Sequence, residues 1–258
     1  MTSKRDSAWL SVERQKAAFE ELLNRYPLDE SEAALQEVLA ARKVLFWRAG
    51  DPIEPLRALL ARGGVLAIPT ESSYGLGADP RNPEGVEAIY RIKGREGGKP
   101  LPVVVSGMEQ LRDLGIDPGL PILEALAACW PAPLTAVLPI ARPLPAAAGE
   151  PALAVRIPAH EGLRRLLAAL GHGLTATSAN PSGGAPVLDP EGAAELLAGA
   201  ETGGNAAVVD GGVLPGGPPS TLVAIEASGP VVLRTGSFPV ERLRERLDAS
   251  RPPLEKDV

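Results

Sequence analysis

Short apolar runs of strand length recur along the chain, separated by stretches in which apolar residues return every three or four positions. The runs over residues 65–68, 103–105, 135–138, 153–157, 174–177, 207–209, 221–225 and 231–233 predict strands. Helices are predicted over residues 120–130, 161–170, 190–197 and 240–247. Asp51-Pro52 reads as an N-cap followed by proline in the first turn, opening a helix that Gly63-Gly64 ends. Asn82-Pro83 opens another, running through Tyr90. This alternation predicts an α/β domain. The last strands follow one another without helices between them, so the sheet is expected to be mixed.

Residues 1–50 follow a different rhythm. Trp9, Val12, Phe19, Leu23 and Tyr26 form one helical stripe, and Leu35, Val38, Leu39 and Leu45 form a second, with Tyr26-Pro27 as the break. A helical hairpin packed on the main body is expected here; a dimer contact or a lid is the functional alternative. The chain is therefore divided into an N-terminal helical extension over residues 1–50 and a main domain over residues 51–250.

Composition narrows the picture. Twenty-eight glycines and 27 prolines are scattered between the apolar runs, which implies many tight turns rather than one disordered tract. The net charge of -6 argues against a protein that simply coats nucleic acid, because phosphate neutralisation needs clustered Lys and Arg. Cys129 is the single cysteine, the N-terminus has no signal-type apolar segment, and no stretch is long and apolar enough to span a bilayer. A cytoplasmic location is expected, with no membrane partner.

Three segments offer chemistry. Arg91-Ile92-Lys93-Gly94-Arg95-Glu96-Gly97-Gly98-Lys99 sets four basic residues against one acid. In an extended segment Lys93 and Arg95 point to the same side, which suits a phosphate; a solvated basic loop fits the same residues equally well. Thr177-Ser178-Ala179-Asn180-Pro181-Ser182-Gly183 follows a strand, where ligands of α/β sheets collect, and it also fits a plain capping turn. Pro69-Thr70-Glu71-Ser72-Ser73-Tyr74-Gly75-Leu76-Gly77 offers hydroxyls, a carboxylate and a phenol, or simply a polar turn. Arg156 and Arg234 lie in strand-like runs, where a buried arginine needs an anionic partner or ligand. His160 and His172 lack an obvious acid or nucleophile beside them and read as structural. No Ser-His-Asp order or metal-ligand spacing stands out, so no protein-held metal is expected.

Taken in order, PTESSYGLG at 69–77, KGR at 93–95, PAPLT at 131–135, VRIP at 155–158, TSANPSG at 177–183, PST at 219–221 and LRTG at 233–236 resemble the YrdC family of L-threonylcarbamoyladenylate synthases. The resemblance covers roughly residues 51–247. It implies a YrdC-like twisted mixed β-sheet flanked by helices around a deep concave cavity, with residues 51–250 as the catalytic domain. It implies a nucleotidyltransferase that makes threonylcarbamoyl-adenylate from L-threonine, bicarbonate or CO₂, and ATP, releasing pyrophosphate. The product serves threonylcarbamoyl modification of the tRNA adenosine beside the anticodon. By that resemblance Lys93, Arg95, Ser178 and Asn180 are catalytic, and Arg95, Lys99, Ser178, Asn180 and Arg234 hold ATP with its Mg²⁺. Ser72, Arg156 and Ser220 hold threonine, with tRNA or a tRNA-modifying protein as a further partner. Ser72 stands where Thr is common, Val104 where some members carry a threonine-contacting His, and Ala152 where some carry a hydroxyl. Two alternatives stay open. One is a module of the same shape that binds nucleotide or RNA without this chemistry; the other is carbamoyl-adenylate chemistry, as in hydrogenase-maturation carbamoyltransferases.

Overall fold

The computed structural model describes residues 44–94, 98–200, 205–226 and 229–249. The two helical stripes expected over residues 1–50 lie outside the described residues as far as position 43. Leu45, assigned above to the second stripe, instead opens strand β1 (Leu45–Trp47), which pairs in parallel with β9 (Ala206–Val209). Three residues cannot reveal their period, and only the partner strand decides the conformation.

The α/β alternation holds, and the strands divide into two mixed sheets. The first runs in the order β1, β9, β2 (Val65–Pro69), β3 (Tyr74–Gly77), β8 (Thr177–Ser178). The second runs β11 (Gly229–Arg234), β10 (Thr221–Glu226), β5 (Leu134–Pro139), β6 (Ala152–Arg156), β4 (Val103–Val104), β7 (Leu174–Thr175). β3 was read as part of a polar turn: its two glycines hide a strand that is buried throughout.

The helices are α1 (Glu54–Ala61), α2 (Pro83–Ile92), α3 (Ile122–Cys129), α4 (Glu161–Leu170), α5 (Pro190–Gly199) and α6 (Val240–Ala249). Asn82 and Asp189 cap α2 and α5 through side-chain oxygens that accept backbone N–H bonds. α1 starts later than Asp51-Pro52 implied, because Asp51 Oδ2 accepts from Arg48 N at 2.7 Å and so closes a turn before the helix. His160 caps α4 by accepting from Leu163 N, in keeping with a structural role.

β2 shows why a continuous apolar run is needed. Val65 and Ala67 enter the larger core, whereas Leu66 and Ile68 pack with Leu56, Leu59 and Leu60 of α1 and Leu163, Leu166 and Leu167 of α4. β6 alternates instead. Leu153 and Val155 are buried in the larger core, while Ala152, Ala154 and Arg156 face a cavity of about 630 Å³. No described helix is long and apolar enough to cross a membrane.

Candidate active site

The cavity gathers side chains from both sheets. Thr70, Ser72 and Ser73 enter from the turn between β2 and β3, and Ser178 from β8. Thr135, Arg156 and Arg234 enter from β5, β6 and β11, and Ser220 sits just before β10. Lys99 and Glu150 also line it, both exposed. The floor between the polar groups is small and apolar, formed by Val104, Val137, Ala152 and Ala154. Of the site residues expected from the sequence, Ser72, Lys99, Arg156, Ser178, Ser220 and Arg234 therefore line one cavity.

Lys93 and Asn180 sit behind the cavity wall. Lys93 ends α2 in a helical conformation (φ -80°, ψ -5°), and Gly94 turns left-handed after it (φ 59°). The extended geometry expected for Lys93 and Arg95 is thus replaced at position 93 by a helix terminus; Arg95 lies outside the described residues. Lys93 is only 4% exposed. Its Nζ donates to Ser178 O at 2.7 Å, and to Asn180 O and Asn180 Oδ1 at 3.0 Å each. Ser178 Oγ donates to Asn180 Oδ1 at 2.6 Å, and Asn180 Nδ2 donates to Gly184 O. Lys93, Ser178 and Asn180, 87 positions apart at most, are one hydrogen-bonded unit. Only Ser178 of the three reaches the cavity.

Arg156 is held by an acid. Its Nη1 donates to Glu71 Oε2 at 3.0 Å, with the two side chains 12% and 21% exposed. Burial pulls the Arg156 guanidinium below its ordinary range, and the charge and hydrogen bond of Glu71 work against that shift. Arg234 is lowered by burial and by repulsion from Arg156. Arg234 Nη2 donates to Ser220 O at 3.0 Å and to Ser220 Oγ at 3.1 Å; Ser220 Oγ lies 2.8 Å from Thr135 Oγ1. Gly236 makes this packing possible, because a Cβ there would collide with Pro219 O and Ser220 C.

Two arginines lining one cavity, Arg156 paired with Glu71 and Arg234 bonded to Ser220, give a site suited to a ligand with more than one anionic group. The Sua5/YciO/YrdC family model, described as "Telomere recombination", matches residues 58–236. The chain belongs to this family. A threonylcarbamoyl-AMP synthase of Thiobacillus denitrificans is 35% identical over 187 residues, 69% of this chain and 92% of that protein. One from Bacillus subtilis is 34% identical over 80% of this chain, which spans 59% of that longer relative. Among solved structures, Pyrococcus abyssi Sua5 complexed with L-threonine matches with a TM-score of 0.67 and 30% identity, over 79% of this chain and 60% of that one. The family fold accounts for the two mixed sheets and for the cavity they share.

Two groups that hold the site together have no separate role in the sequence segments that contain them. Glu71 is one polar group in the 69–77 segment, and its partner Arg156 lies 85 residues away. Thr135 ends the 131–135 segment, and its partner Ser220 is also 85 residues away.

Proposed function

We propose that this chain synthesises threonylcarbamoyl-adenylate from L-threonine, bicarbonate or CO₂, and ATP, releasing pyrophosphate. The observation that carries the reading is one cavity in which Arg156 and Arg234 meet the hydroxyls of Ser72, Ser178 and Ser220, in a chain of the Sua5/YciO/YrdC family. The threonine amine adds to CO₂ and loses a proton, giving a carbamate. A carbamate oxygen attacks the α-phosphorus of ATP, the bond to the β-phosphate oxygen breaks, and pyrophosphate leaves. Such a reaction needs alignment and charge neutralisation more than a protein nucleophile.

In this reading the Arg156 fork holds the threonine carboxylate, with Ser72 and Ser220 beside it. Ser178 holds the AMP portion, on a turn that Lys93 and Asn180 keep in shape. Lys99, Arg234 and Arg95 stabilise the phosphates. Mg²⁺ travels with ATP. Among the described residues no three His, Cys, Asp or Glu side chains form a metal-holding group, so the ion is assigned to the nucleotide's own phosphates and no step is derived through it. The product then passes to the machinery that modifies the tRNA adenosine next to the anticodon.

The test is pyrophosphate release from ATP and bicarbonate, with and without threonine. Release that depends on threonine is expected; equal release in both overturns the reading.

A further inference from the structure

Glu71 is not on the cavity wall, though its chain neighbours Thr70 and Ser72 both are. Its carboxylate is fully engaged behind the wall. Oε1 accepts from Ala159 N at 2.6 Å, in the segment between β6 and α4, and Oε2 accepts from Arg156 Nη1 at 3.0 Å. Glu71 thus ties the turn after β2 to the end of β6 and to the residues that follow it.

The way it takes Arg156 is specific. Using Nη1 alone leaves the side-on fork of the guanidinium, Nε and Nη2, and among the described residues the Arg156 side chain makes no other hydrogen bond. That fork is the edge which meets a carboxylate with two parallel bonds. An arginine side chain also loses considerable rotamer freedom when it is fixed, and a partner that fixes it beforehand lowers the cost of binding. Arg156, Arg234 and Lys99 set against Glu71 and Glu150 leave the cavity one positive charge in excess for an incoming anion. The arginine's neighbours on the sheet face are apolar: Val104 lies in register on β4, and Ala154 is two residues back on β6.

We propose that Glu71 is a positioning residue for the amino-acid subsite: it presets Arg156 so that the free fork meets the substrate carboxylate, without itself touching substrate. The proposal rests on the synthase reading above. It makes amino-acid affinity, and not ATP affinity, the property that Glu71 controls.

Glu71→Gln keeps the size and an acceptor for Ala159 N but removes the charge that holds Arg156. The measurement is the KM for threonine and the KM for ATP in threonine-dependent pyrophosphate release, with melting temperature alongside. A rise of roughly tenfold or more in threonine KM is expected, since displacing a positioned group by about an ångström has effects of that order. The ATP KM should stay within about twofold on the same scale of argument. Glu71→Asp, which retains the charge but shortens the reach, should show the same split to a smaller degree, and it answers the question if Glu71→Gln does not fold. Unchanged threonine KM, or a parallel rise in both KM values with a lowered melting temperature, overturns the proposal. A wild-type protein whose pyrophosphate release ignores threonine overturns the synthase reading instead, so the two failures are distinguishable.

Discussion

Lys93 and Arg156 are both cations withdrawn from solvent beside the same cavity, and they are satisfied in opposite ways. Lys93 Nζ donates to three neutral oxygens of Ser178 and Asn180. Arg156 is paired with one carboxylate through Nη1 and lines the cavity. A compact ammonium with three donors suits the convergence of backbone and amide oxygens at a tight turn, whereas a planar guanidinium can serve an internal partner and a ligand at once. On the proposed reading, the difference separates a group that builds the wall from a group that meets what enters. The basic segment, which suits a phosphate or a solvated loop equally by its residues, contributes at Lys93 the support for the Ser178 hydroxyl on β8.

The comparison breaks most readily at Lys93. Lys93→Ala removes the donor shared by Ser178 O, Asn180 O and Asn180 Oδ1 and leaves a void, at a cost of about 3 kcal/mol. For a domain of this size the melting temperature should fall by roughly 6–12 °C, and turnover should fall with it. Loss of ATP affinity with unchanged melting would place Lys93 on the ligand side instead.

Tyr74 tests the wall-building side without touching the cations. Its side chain is fully buried, and its hydroxyl donates to Gly212 O and accepts from Gly211 N, both at 3.0 Å. Burial, more than any other cause, pushes the phenol up to about 12. Because the folded value lies above the unfolded one, the neutral phenol's contribution is complete below about pH 10 and is lost as pH rises through 12. A rise of this size corresponds to roughly 2–3 kcal/mol. Denaturant midpoints between pH 9 and 12 should therefore drop in the wild type, and drop less in Tyr74→Phe; parallel curves would contradict the assignment.

Arg234 gives the smallest effect and the clearest contrast with Lys93. It is exposed and bonded to Ser220 rather than to an acid. Arg234→Ala should leave melting within about 1 kcal/mol of wild type while raising the KM for ATP roughly tenfold, the loss of one charge-assisted contact. A large stability loss would move Arg234 to the structural side of the comparison.

Much of the frame was readable along the chain. The run at 65–68 had to be a buried strand, and β5 and β6 followed from apolar runs of strand length; Asn82-Pro83 announced a helix start. The signature residues of the seven segments were legible as well, since residue types at fixed spacings are properties of sequence. Local patterns failed where the deciding partner is distant. β1 is a strand because β9, some 160 residues later, pairs with it, and β3 is a strand because β2 and β8 enclose its glycines. The same reason governs the site. That Lys93, Ser178 and Asn180 belong together was implied by the family resemblance, but that Lys93 holds the turn from behind depends on where α2 ends against β8. Glu71 becomes the partner of Arg156 only because two segments 85 positions apart end at one corner of the cavity. Sequence determined which groups are present and which elements they ride on. Tertiary structure decided which of them face the cavity and which are used up in building it, because the geometry and burial of a charge are set by neighbours that no local spacing encodes.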